Sequence, residues 1–164
     1  MKNLAGLCLL LMQMISVNFL LAQEKQNVFN KGLFYTAMQG NNADAVNRQL
    51  ALIKTADVAD KNAFEGALLM KLAGIASGPK KKLDLFKDGH KKLEAVITKD
   101  STNTELRFLR LMIQEHAPGI LGYKGELQKD KLYIISHFKK LPPAVQAAVT
   151  DYSKESKILK PHDL

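Results

Sequence analysis

From about Asn27 onward, apolar residues recur at helical spacing, and stretches that alternate apolar with polar are nearly absent. There are no Asn-Gly or Asp-Gly hairpin turns either, so the chain lacks the local chemistry that pairs strands. A three-to-four-residue repeat buries one face of a helix, and a chain built from it has to fold by packing helices on one another. The pattern predicts an all-α fold with seven helices, over roughly 27–39, 42–55, 58–76, 79–98, 102–116, 126–140 and 143–156. Their boundaries carry stop and start signals: Gly40-Asn41-Asn42, Ser77-Gly78-Pro79 and Leu141-Pro142-Pro143. Proline is suited to a first helical turn and unsuited to an interior one, so each such group separates two helices. Short helices joined by tight turns predict a compact array of antiparallel helical hairpins.

The segment 58–76 is apolar on two sides. Phe64, Leu68, Leu72 and Ile75 share one side, and Ala63, Gly66, Ala67, Met70 and Gly74 gather on another. This predicts a central helix, with close backbone approach along Ala63, Ala67 and Gly74. Glycine inside a helix costs about 1 kcal/mol relative to alanine, and two of them point to a packing reason.

Before this region lies a different kind of segment. Lys2 precedes an almost unbroken apolar run from Leu4 to Leu21, closed by small Ala22, with no acidic residue before Glu24. Charged start, apolar middle and small end are the layout of a secretory signal peptide. The expected organisation is a signal peptide over 1–22, one helical domain over 23–156 and a frayed basic tail over 157–164. The alternative is an uncleaved membrane anchor, which the polar interruptions Gln13, Ser16 and Asn18 disfavour. Cleavage between Ala22 and Gln23 predicts a periplasmic or secreted protein that meets the membrane only before cleavage.

The sole cysteine, Cys8, falls inside that segment, so residues 23–164 hold no disulfide, thiol nucleophile or thiolate ligand. The chain is basic, with 24 Lys and Arg against 16 Asp and Glu and a formal charge of +8. Export and the dispersion of these charges argue against a nucleic-acid partner. Lys80-Lys81-Lys82 points in three directions around a helix and reads as a solvated face.

Residues 100–133 are the densest in candidate chemistry. Thr102 and Glu105 have capping-box spacing, which assigns Glu105 to a helix end. Leu106, Phe108, Leu109, Met112 and Ile113 form a buried arc, and Arg107, Arg110 and Gln114 a polar stripe opposite it. Two arginines on one stripe offer forked donors to a carboxylate or phosphate; the alternative is a pair of ordinary ion pairs. The loop Gly119-Ile120-Leu121-Gly122-Tyr123-Lys124-Gly125 follows. It either folds back to plug the core with Ile120, Leu121 and Tyr123 or presents Tyr123 to a partner. The candidate binding residues are therefore Arg107, Arg110, Gln114, Tyr123 and Lys124.

The four histidines, His90, His116, His137 and His162, have no ligand spacing, and no nucleophile elbow or phosphate loop occurs. The expectation is a non-catalytic protein with no metal and no cofactor. Glu115-His116 is an acid–base pair in want of a pocket.

Leu93–Asn103 resembles the end of a tetratricopeptide repeat, which implies a hairpin architecture. Arg107-Phe108-Leu109-Arg110, Pro118-Gly119-Ile120-Leu121-Gly122-Tyr123 and Asp130-Lys131 resemble a group of uncharacterised exported helical proteins of Bacteroidota. That resemblance implies export and carries no activity. Asp100-Ser101-Thr102 resembles the short sugar-attachment motif of such exported proteins. The function expected from these features is a protein-interaction or scaffold module with a partner in the cell envelope. The alternatives are a binder of an anionic ligand or lipid head group, and a small enzyme.

Overall fold

The computed structural model describes residues 28–164, which form seven α-helices and no strand. The signal segment expected over 1–22 lies outside the described residues. The helices are α1 (Lys31–Gln39), α2 (Ala43–Thr55), α3 (Lys61–Ile75), α4 (Pro79–Lys99), α5 (Thr104–His116), α6 (Leu127–His137) and α7 (Pro143–Ser153). Short 3₁₀ turns cover Gly119–Leu121, Phe138–Lys140 and Pro161–Asp163. Among the described residues, no helix is long and apolar enough to cross a membrane.

Asparagine starts three of the helices. Asn30 accepts from the Leu33 amide, Asn42 from those of Asp44 and Ala45, and Asn103 from those of Glu105 and Leu106. Each side-chain oxygen satisfies a donor that the first helical turn leaves without a partner. At α5 this corrects the capping box expected from Thr102 and Glu105. The Thr102 hydroxyl donates instead to Asp100. Glu105 accepts from Lys31 Nζ at 2.6 Å and from the Tyr35 hydroxyl at 2.9 Å, and so ties α5 to α1.

Helix α3 packs on α1, α2, α4 and α5, which gives it the central place its two apolar sides predict. Its tightest partner is α4, and the pair crosses where glycine faces glycine. A Cβ on Gly66 would stand 2.6 Å from the Gly89 carbonyl oxygen, and one on Gly89 would stand 2.5 Å from that of Gly66. The two positions are equidistant in sequence from the Ser77–Gly78 turn, so α3 and α4 form an antiparallel hairpin. The expected close approach at Gly74 is not there. Gly74 is exposed, and a Cβ on it would meet nothing within 4 Å.

Helix α5 is enclosed more completely than its sequence predicts. All nine residues from Leu106 to Gln114 are buried, the arginines included. An aromatic chain runs through the core, from Phe34 to Tyr35, to Phe108, to Tyr152, at centroid separations of 5.0 to 5.6 Å. It links α1, α5 and α7 with edge-on and tilted contacts that favour aromatic pairs beyond their buried area.

The tail expected to fray is fixed instead. Ser156 and Leu159 are buried. The Glu115 carboxylate, at the end of α5, accepts from the Tyr152 hydroxyl, the Ser156 hydroxyl and the Lys157 amide, each at 2.6 Å. Farther on, Lys131 pairs with Asp163 at 3.0 Å. The last residues therefore belong to the folded body.

Candidate binding groove

The arginines do not face solvent. Asp130 on α6 is fully buried and accepts from Arg107 Nη1 at 2.8 Å and from Arg110 Nε and Nη2 at 2.6 and 2.8 Å. Arg107 Nε donates to the Ser101 carbonyl at 2.7 Å, and Arg110 Nη1 to Glu94 at 3.1 Å. Glu94 also accepts from the Tyr123 hydroxyl. Burial opposes the Arg110 charge, but hydrogen bonds and charge from Asp130, then Glu94, outweigh it and hold the guanidinium above its ordinary pKa. Burial, then Glu94, pushes the Tyr123 phenol up. The forked donors are thus consumed inside the fold, by a carboxylate of the same chain.

Most of the residues expected to bind do not lie on the surface. Arg107, Arg110, Gln114 and Tyr123 are buried, and only Lys124 is exposed, reaching the Glu115 carbonyl at 3.3 Å. Gln114 Oε1 has no hydrogen-bond partner among the described residues. The loop plugs the core with Tyr123, and Leu121 packs against it from the side. Ile120 at its tip is 96% exposed, and Leu121 is half-buried.

The open space lies elsewhere, in a groove of about 860 Å³ between the turn end of the α3–α4 hairpin and the end of α5. Its floor carries Met38, Met70 and Met112, one from each of α1, α3 and α5, all buried. Unbranched methionine adapts its shape to what it touches. Ala73 and Gly74 leave room along α3, and Phe86 and Leu121 extend the apolar wall. Tyr152 and Ser156 close the side formed by α7 and the tail, so the Glu115 network fixes one wall. A smaller cleft of about 300 Å³ shares Leu83, Phe86 and Leu121 with the groove and reaches Tyr123 and His90.

Two large apolar side chains stand in water at the mouth, Leu83 at 42% exposure on the first turns of α4 and Ile120 at 96% on the loop. The ionisable side chains on the groove are Lys71, Lys82, His116, Glu155 and the Tyr152 phenol. Burial lowers the Lys71 pKa from its ordinary value. The Tyr152 phenol is pushed up, first by burial and then by Glu115.

The groove has little catalytic equipment. Glu115, the acid of the candidate acid–base pair, is committed to Tyr152, Ser156 and the Lys157 amide, while His116 is exposed. Among the described residues, no group of three or more metal-ligating side chains gathers. Sequence reasoning missed Met38, Met70, Met112 and Lys71. Methionine at helical spacing reads as ordinary core, and the one visible signal was Gly74, whose helical glycine marks open space rather than contact. Comparisons with protein families, curated proteins and solved structures give no match to this chain.

Proposed function

We propose that the chain is an exported, non-catalytic binding module that holds an elongated amphipathic small molecule in the groove. The observation that carries this reading is the pair Leu83 and Ile120, large apolar side chains left in water on the lining of the groove. An occupant that covers them recovers about 25 cal/mol for each Å² of apolar surface removed from water. The groove's volume falls within the roughly 300–1,000 Å³ of small-molecule sites. The arginines and tyrosine that the sequence offers to a protein partner lie inside the fold, which favours a small ligand over a docked protein. Export rests on the leader-like layout of Met1 to Ala22.

The test uses the neutral dye Nile red, whose emission rises in apolar surroundings. Protein recovered after export should take it up saturably. Gly74→Trp grows a side chain into open space and should block uptake while leaving the thermal midpoint within a few degrees. Equal uptake by Gly74→Trp and wild type overturns the reading and returns these apolar side chains to a protein partner.

A further inference from the structure

Five lysines of the described domain are half-buried: Lys31, Lys71, Lys92, Lys131 and Lys160. Three have a carboxylate: Lys31 with Glu105, Lys92 with Glu65 and Lys131 with Asp163, at 2.6 to 3.0 Å. Lys160 donates to the Ser156 carbonyl at 2.6 Å. Lys71 is the exception. Its one polar contact among the described residues is Asn41 Oδ1, at 3.5 Å, the outer limit of a hydrogen bond. A partly desolvated ammonium without an anion is costly, and proteins pair such groups or neutralise them. Lys71 stands on the groove wall, beside Asn41, which also lines it.

Resting on the binding reading above, we propose that the groove takes a long-chain monocarboxylate. Its head group is held by Lys71 Nζ and the Asn41 amide, and its alkyl chain lies along the methionine floor toward Phe86. The charge of the ligand completes the charge pairing that three of the other four half-buried lysines already have. One ammonium and one neutral amide suit a single negative charge. A phosphate monoester carries about −1.5 to −2 at neutral pH, more than one ammonium balances, and the guanidinium groups of α5 that could bind it bidentately are already committed to Asp130. Lys82 is exposed, on the first turns of α4, and Glu155 is the only carboxylate on the groove. Among the described residues Glu155 makes no ion pair with Lys71, and Lys82 adds positive charge to the groove.

The experiment displaces Nile red from delipidated full-chain protein, recovered after export, with hexadecanoic acid and with hexadecan-1-ol, at neutral pH. Wild type should prefer the acid over the alcohol by about tenfold or more, the scale of one hydrogen bond to a charged group. Lys71→Met should bring the acid down to the level of the alcohol and leave the alcohol unchanged. Lys71→Arg should keep most of the preference, and its folding guards against a variant that simply fails to fold. Lys81→Met should keep it too, because that lysine is exposed and does not line the groove. Equal displacement by acid and alcohol in wild type, or a preference that survives Lys71→Met, overturns the head-group assignment while the groove reading stands. Displacement by neither compound, with Nile red still bound, overturns the long-chain class. Absence of Nile red binding in wild type sinks the groove reading as well.

Discussion

Asp130 is a fully buried carboxylate that joins α6 to α5. Two guanidinium groups converge on it, and neither has a second carboxylate close enough to replace it fully: Glu94 reaches Arg110 alone, and Glu126 stands 4.0 Å from Arg110. Removing one partner of a buried ion pair leaves an uncompensated charge, which costs about 3–5 kcal/mol. Asp130→Ala should therefore lower the unfolding free energy by that amount, measured by urea denaturation followed by circular dichroism. A loss of less than about 1 kcal/mol, the size of a surface pair, means the arginines have water as an alternative partner. The role of these arginines was only half legible in the sequence. Their spacing shows that they share a stripe, but the carboxylate that claims them lies on the next helix, and nothing local distinguishes Asp130 from a solvated acid.

At the scale of helices, most of the architecture was legible. Gly40-Asn41-Asn42, Ser77-Gly78-Pro79 and Leu141-Pro142-Pro143 stand where helices end and begin, because capping and proline sterics are local effects. The meaning of each glycine was not, since it depends on what stands opposite. Gly66 and Gly74 share one helix and have opposite surroundings. Gly66→Ala drives a methyl group into the α4 backbone, and overpacking of this kind costs roughly 1–3 kcal/mol. Gly74→Ala adds the same methyl group to open space and should stabilise by up to about 1 kcal/mol through helix propensity. Paired denaturation midpoints of the two variants should move in opposite directions. Movement in the same direction means the α3–α4 crossing is not at Gly66.

Over the whole molecule, the carboxyl-terminal residues bind the groove wall to the core, and a carboxylate controls that join. Burial works against the Glu115 charge, but the hydrogen bonds from Ser156, Tyr152 and the Lys157 amide prevail and hold its pKa below the ordinary glutamate value. A depressed folded-state pKa contributes stability that is fully present above the unfolded-state value and is lost as pH falls through the folded-state value. The tail should therefore stay docked at neutral pH and loosen only below the usual glutamate range. Hydrogen exchange at the Leu159 amide, which donates to the Ser156 hydroxyl at 3.0 Å, reads this directly. In wild type its protection should fall in acid before that of the α3 amides. In Glu115→Gln the protection should already be low at neutral pH and vary little with acid, because the charged acceptor is gone. Since Tyr152 and Ser156 line the groove, loosening of the tail should be accompanied by weaker Nile red uptake over the same pH interval. Early loss of tail protection in acid with unchanged uptake would mean that the α7 side contributes no part of the binding surface.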